Sequence, residues 1–338
     1  MSNATRRLPA EWEPHRACWM AWPCRQEIWR HGLEEAGLAF ARVANAISEF
    51  EPVHMLVPEG QQHSARRQLS AAIEQIPVPL NDSWTRDTAP IWVRHDGSLT
   101  SLDFRFNAWG DKFHPFDADA DLARRIHEHA SQDQDKLGYE AVDLVLEGGA
   151  IHSDGHGTLL TTRECLLNSN RNPGLSEVEI ETQLRDLFGI DTFIWLDKGL
   201  FGDTDTDGHI DNIACFARPG TVITQSTDDH DSENFPIYHD NRITLHEARD
   251  ARDRDIEIVS IPEPEARYLD GQRMPLSYIN FYLANGAVIM PGFGSPQDDA
   301  ALQILKEQFP ARDVVQLPAL EIVLGGGGIH CITMQQPL

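Results

Sequence analysis

One order of elements recurs along this 338-residue chain: strand, tight turn, strand, amphipathic helix, strand. It is plainest in the middle. Residues 150–152 and Thr158–Thr162 flank the turn Asp154-Gly155-His156-Gly157 as the arms of a hairpin do. A helix is predicted from Ser176 to Phe188, because Ser176 and Glu179 form an S-x-x-E capping box and Gly189 can end the helix. Residues 193–196, Phe-Ile-Trp-Leu, then read as a buried strand.

The order returns over 212–216 and 221–225, with a helix around 241–252 and a strand over 256–261. It returns over 278–283, the turn Asn285-Gly286, 287–290, a helix over 297–309 and a strand over 314–317. Upstream, 90–94 and 99–104 flank His95-Asp96-Gly97-Ser98, followed by a helix over 122–130 and a strand over 141–146. The fifth copy is split between the chain ends: strands over 18–22 and within 321–334, a helix over 33–50 and a strand over 53–57. Units of roughly 50 residues cannot bury their own cores and must pack around a common axis. The expectation is one α/β domain spanning 1–338, a closed ring with fivefold pseudosymmetry whose first module is clasped by both termini. No strand–GxGxxG–helix is present, which argues against a Rossmann fold.

Composition narrows the partners. Lysine and arginine number 28 against 53 aspartates and glutamates, a net charge of −25. Nucleic acid is excluded, since its phosphates need a basic surface, and a cationic ligand suits the field better. The five cysteines (Cys18, Cys24, Cys165, Cys215, Cys331) form no CxxC pair, against a zinc ribbon or a thioredoxin-like site. Residues 1–7 are polar and basic, the apolar patch 17–22 is too short for a signal peptide, and no stretch approaches membrane-spanning length. The chain is expected to be soluble and cytoplasmic, with reduced thiols and no membrane partner. Its oligomeric state is open, a homo-oligomer included.

Polar motifs fall at equivalent places in the repeat: Trp84-Thr85-Arg86-Asp87, Glu147-Gly148-Gly149, Asp207-Gly208-His209-Ile210-Asp211, and Gly325-Gly326-Gly327-Gly328-Ile329-His330-Cys331. Taken singly, each has an ordinary explanation: a buried Cys is a small core residue and an Arg-Asp pair a structural ion pair. Equivalent positions in a ring face one axis, so Asp87, Glu147, His209, Asp211 and Cys331 should converge. Trp84 and Trp92 bracket the Arg-Asp pair as a pocket wall would. His209 and Asp211, two apart, share a face if the segment is a strand. The run Asp203-Thr204-Asp205-Thr206-Asp207-Gly208 imitates half a calcium loop, but the twelfth position is Ala214 where a bidentate Glu is needed. His127, His129, His152 and His156 offer no metal-ligand spacing, so no metal is expected.

A thiol with one histidine and three carboxylates has more acid than a peptidase needs. Several acids around one nucleophile imply a cationic electrophile, and a guanidinium is planar, charged and matched by bidentate carboxylates.

The motifs W-x-R-D-T (84–88), F-R-F-N-A-W-G (104–110), E-G-G (147–149), D-T-D-G-H-I-D-N (205–212) and G-G-G-x-I-H-C-I-T (325–333) resemble those of the agmatine deiminase family, guanidine-modifying enzymes of the pentein fold. The similarity runs from Glu11-Trp12-Glu13-Pro14-His15 to Gln335-Gln336-Pro337. It implies a five-bladed α/β propeller, no cofactor, a small cationic guanidine substrate, and hydrolysis of agmatine to N-carbamoylputrescine and ammonia in polyamine metabolism. By the same resemblance Cys331 is the nucleophile and Asp87 and Asp211 grip the guanidinium. His209 is the acid and then the base, and Glu147 orients it. Substrate contacts are implied at Trp84, Asn107, Trp109, Asp203 and Gly328. One departure is Gly328, where the family commonly shows Asn. A deiminase of free or peptidyl arginine is the nearest alternative, and a catalytically silent guanidine- or polyamine-binding protein the alternative outside enzymes.

Overall fold

A computed structural model describes residues 6–134 and 136–338; residues 1–5 of the basic N-terminal stretch lie outside the described residues. Five sheets carry the repeat. In the second blade Ile91–His95 and Ser98–Arg105 run antiparallel, and Gly138–Val145 returns parallel to Ser98–Arg105 after the helix Leu122–Ala130. The third has Ile151–Ser153, Thr158–Thr162 and, beyond the helix Glu177–Phe188, Thr192–Leu196. The fourth has Ala214–Arg218, Thr221–Ser226 and Glu257–Pro262; the fifth has Tyr282–Ala284, Ala287–Gly292 and Asp313–Pro318. Each closing strand is parallel to its neighbour because a helix carries the chain back across the sheet.

The first blade joins the two chain ends. Met334–Pro337 pairs antiparallel with His15–Ala21, with Met334 opposite Trp19, and Val53–Val57 and Glu74–Pro77 follow in parallel. What holds the ring together is shared burial. Trp19 and Leu56 of the first blade pack with Trp92 and Leu99 of the second. Ile91 and Val93 of the second pack with Leu159 of the third, and Leu160 and Ile194 of the third with Phe216 and Val222 of the fourth. Ile223 and Ile261 of the fourth join Ile289 and Met290 of the fifth and Met20 and Met55 of the first in one cluster. No blade owns a private core, so each stabilises its neighbours. Each such aliphatic side chain contributes about 1.5–3 kcal/mol by leaving water.

Local expectations hold where local chemistry is strong. Ser176 and Glu179 form the predicted capping box and Gly189 ends the helix in the left-handed region, at φ 68°. Elsewhere the structure corrects the reading. Residues 321–324, read as a strand, belong to the short helix Leu320–Leu324, and the terminal strand is Met334–Pro337. A brief apolar run does not by itself tell strand from helix. The helix placed around 241–252 is Phe235–Glu247, entered through a proline in its first turn, Pro236. Strands Arg6–Arg7 and Glu74–Pro77 and the hairpin of Tyr268–Leu269 with Gln272–Arg273 extend the repeat beyond what its pattern suggests. Among the described residues no helix is long and apolar enough to cross a membrane.

Candidate active site

The four motifs converge. Cys331 follows the glycine run; its Sγ lies 3.6 Å from Asp211 Oδ2 and 3.2 Å from Asn280 Nδ2. Asp87 comes from the short helix Thr85–Thr88, and its oxygens accept hydrogen bonds from Trp109 Nε1 and the Gly149 amide, both at 2.9 Å. His209 Nδ1 stands 3.9 Å from Asp87 Oδ2. A Cβ on Gly149 would sit 2.5 Å from His209 Nδ1 and 3.0 Å from both Asp211 Oδ2 and Asp87 Oδ1. That glycine is what lets three polar side chains meet over one backbone. His209 and Asp211 do not share a strand face, as their spacing suggests. His209 caps and Asp211 sits within a 3₁₀ turn over Ile210–Asn212, which still delivers both inward.

The glycines before Cys331 serve different needs. Gly326 has φ 114°, a conformation costly for other residues. Gly327 has an ordinary φ but no room: its Cβ would lie 2.5 Å from the Trp84 ring. At Gly328 the missing side chain makes space for Asn280, whose carboxamide fills it. Oδ1 of Asn280 accepts the His330 amide at 2.9 Å. An amide therefore does reach the nucleophile in this chain, from residue 280 rather than 328.

The cavity above the thiol is lined by Trp84, Trp109, Phe113, Asp82, Asp87, Asp205 and Gly325–Gly327, but not by Gly328. Trp84 and Trp109 thus form walls, whereas Trp92, expected beside Trp84, faces a separate cavity near Met334. Asn107 is not in the wall: its Oδ1 accepts the Gly110 amide and its Nδ2 donates to the Asn170 carbonyl, holding the loop that presents Trp109. Asp203 is likewise spent internally, accepting from Thr206 Oγ1 at 2.5 Å and from Asn212. Its neighbour Asp205 lines the cavity instead.

Two cations frame the site without entering the cavity wall. Arg171 is fully buried; its Nε donates to Glu147 Oε1 at 2.6 Å and its Nη1 to Asp207 Oδ2 at 2.7 Å and the Trp109 carbonyl. Lys112 Nζ pairs with Asp207 Oδ1 at 2.7 Å. Together they anchor the acidic loop and leave the Asp205 side chain to the cavity. Glu147, expected to orient His209, has its strongest bond to Arg171, and with His209 and the Cys165 thiol it forms a buried cluster within 4.8 Å. Ligand types are present there, but a guanidinium already on Glu147 opposes a dication, and the surrounding acids suit a proton on His209.

Charge follows from burial and neighbours. Burial opposes a charge on His209, yet Asp87 first, then Cys165 and Glu147, hold its pKa well above the usual imidazole range. Burial pushes the Cys331 thiol well up, and Asp211 and Asp87 push it further. Burial also raises Asp87, against the attraction of His209. Asp211 moves the other way: burial is outweighed by its hydrogen bond to His330, and its carboxyl stays below the ordinary range. Both ring nitrogens of His209 and Oδ1 of Asp211 lack protein partners among the described residues. These shifts favour a protonated His209 imidazole and a neutral Cys331 thiol, with acids suited to a cation.

Sequence reasoning did not single out Asn280, Arg171, Asp205, Cys165, Glu11 or the histidine of I-H-C. Only His330, beside the nucleophile, carried a local signal.

A buried thiol, an imidazole and paired carboxylates in a five-bladed α/β propeller define the guanidine-modifying enzymes of the pentein class. The chain belongs within it to the Porphyromonas-type peptidyl-arginine deiminase family, whose model matches residues 7–337. A relative from Legionella pneumophila (strain Paris) is 47% identical over 334 residues, 98% of this chain and 95% of its own length. The agmatine deiminase of Pseudomonas aeruginosa (strain UCBPP-PA14) is 44% identical over 368 residues, covering 100% of this chain and 99% of that one. The solved agmatine deiminase of Enterococcus faecalis superposes with a TM-score of 0.92 at 35% identity, covering 100% of this chain and 98% of that one. The chain is a close homologue of hydrolytic deiminases.

Proposed function

We propose that this protein is an agmatine deiminase, converting agmatine and water to N-carbamoylputrescine and ammonia. One observation carries the choice of substrate: the cavity wall holds Asp82, Asp87 and Asp205 and, among the described residues, no lysine or arginine. An arginine or peptide substrate needs a cation or donors for its carboxylate or backbone groups. Agmatine ends in an ammonium, which Asp205 at the mouth complements.

The residues then take these roles. Asp87 and Asp211 bind the guanidinium edge, and its positive charge offsets the acids that hold the Cys331 thiol up. Once ionised, with its proton passed to solvent, the thiolate attacks the guanidinium carbon and forms a C–S bond. His209 protonates one amino group of the tetrahedral adduct, and ammonia leaves as the C–N bond breaks. Neutral His209 next takes a proton from water as its oxygen adds to the amidino-thioether carbon. Collapse breaks the C–S bond, returns the thiolate and yields the urea, the remaining hydroxyl proton of the adduct passing to solvent. Covalent catalysis divides one hard displacement into two easier ones, and each proton transfer contributes typically ~10²–10⁴-fold.

Ammonia release from agmatine, free arginine and a blocked peptidyl-arginine tests the assignment. Agmatine should be turned over best and Cys331→Ala should abolish release. Faster turnover of arginine would overturn the substrate; full activity in Cys331→Ala would overturn the mechanism.

A further inference from the structure

The residue before the nucleophile is held in a way that the proposed chemistry does not by itself require. His330 is buried, and both its ring nitrogens face carboxylates. Nδ1 is 2.9 Å from Asp211 Oδ2, and Nε2 is 3.0 Å from both oxygens of Glu11. A neutral imidazole has one N–H and one lone pair, and a lone pair cannot bond an ionised carboxylate. The arrangement therefore contains one extra proton, on the ring or on one acid.

We propose that His330 is a protonated positioning residue: charged from the far side by Glu11, it keeps Asp211 ionised and aimed at the substrate. The inference rests on the deiminase reading for its kinetic consequence but not for the state of the ring. The groups around it agree. Arg86 from the helix Thr85–Thr88 opposes the ring's charge, but it donates to Glu11 Oε1 at 3.1 Å and to the His330 carbonyl at 3.3 Å, so it also fixes both partners. His152 of the third blade lies 3.7 Å from Glu11 Oε2, and the Cys215 thiol of the fourth blade feels both Glu11 and Asp211. On the substrate side stand Cys331, Asp87 and His209. Burial and Arg86 lower His330, Glu11 and Asp211 raise it, and the acids win; Glu11 and Asp211 are both depressed, which places the proton on the ring.

Without that imidazolium, Asp211 shares a buried pocket with Asp87 and takes up a proton more readily, because two close carboxylates disfavour each other's ionisation. A neutral acid grips a guanidinium poorly. The I-H-C triplet thus carries two functions: Cys331 reacts, and His330 charges the carboxylate that holds the substrate.

Nitrogen-15 histidine NMR of the wild-type protein tests the ring directly. At pH 7 both nitrogens of His330, assigned by comparison with His330→Gln, should show imidazolium shifts. A neutral ring at pH 7 overturns the proposal whether or not agmatine is the substrate. Steady-state kinetics supply the second arm. His330→Gln and Glu11→Gln should raise KM by about tenfold or more, with a smaller change in kcat, and move the acid limb of kcat/KM up by about one pH unit. His330→Ala should be worse than His330→Gln, which retains one donor. Folded variants with wild-type KM and acid limb overturn it. Failure of wild-type enzyme on agmatine would instead strike the deiminase reading.

Discussion

Asn280 and Cys331 are joined by a hydrogen bond from Nδ2 to Sγ at 3.2 Å, across 51 positions of sequence. The same carboxamide accepts the amides of His330 and Cys331 and donates to Asn212, so it ties the nucleophile to the segment that follows Asp211. Only a glycine at 328 leaves it room.

Asn280→Ala should therefore lower kcat by about 10- to 100-fold, the cost of one hydrogen bond to a charged group, while the fold survives. The thiolate should also form at higher pH, read as the pH dependence of alkylation by iodoacetamide. Unchanged kcat and an unchanged alkylation profile would remove Asn280 from the site.

Arg171 touches Glu147, Asp207 and the backbone at Trp109 and Thr206, all within hydrogen-bond distance. Its side chain and that of Glu147 are almost wholly buried. Removing one partner of a buried pair leaves the other charge unsolvated. Arg171→Met should cost about 3–5 kcal/mol in denaturant unfolding and lower activity through the loosened Trp109. Replacing both residues, with Glu147→Gln added, should recover part of the stability. A loss below about 1 kcal/mol in the single variant would contradict this account.

Asp82 lines the cavity, and Asp119 stands behind it, accepting the amides of Asn81 and Asp82. Burial first, then their mutual repulsion for Asp119, push them up to about 6 and about 7. Arg25 Nε is paired with Asp82 Oδ2 at 2.9 Å but does not fully compensate. An acid with a raised folded pKa adds stability when protonated and loses it as pH rises from its unfolded value, about 4, through its folded value. Thermal stability should thus fall between pH 5 and pH 8. Raised His209 and His330 push in the same direction. Asp119→Asn should flatten the profile and raise the melting temperature at pH 8 by a few degrees. A melting temperature that climbs from pH 5 to pH 8, with the same slope in Asp119→Asn, would contradict the assignment.

The ring was legible because its signals are local and repeated. Ser176, Glu179 and Gly189 specify one helix within a dozen residues, and hairpin turns such as Asp154-Gly155-His156-Gly157 fix strand pairs. The helix Phe235–Glu247 was misplaced since its apolar residues do not keep to one face, leaving Pro236 as its main marker. Cys331, Asp87, Asp211 and His209 were legible as chemistry because each stands in a short motif at an equivalent point of the repeat. Glu11, Asn280 and Arg171 were not, because their partners lie far away in sequence: Glu11 meets His330 across 319 positions, and the motif Glu11–His15 gives it no role by itself. Asp203 and Asp205 show the opposite limit. Composition marks both as acids in a loop, and only the bonds to Thr206 and Asn212 decide which one faces the cavity.

The central claim is that Cys331 forms a bond to the guanidinium carbon while His209 releases ammonia. Rapid acid quench during turnover of agmatine, followed by intact-protein and peptide mass spectrometry, tests it most directly. The account predicts a transient adduct on Cys331 with the mass of agmatine less ammonia, lengthened in lifetime by His209→Ala if it forms and absent in Cys331→Ala. Sustained ammonia release by Cys331→Ala, or an adduct on another residue, would contradict it.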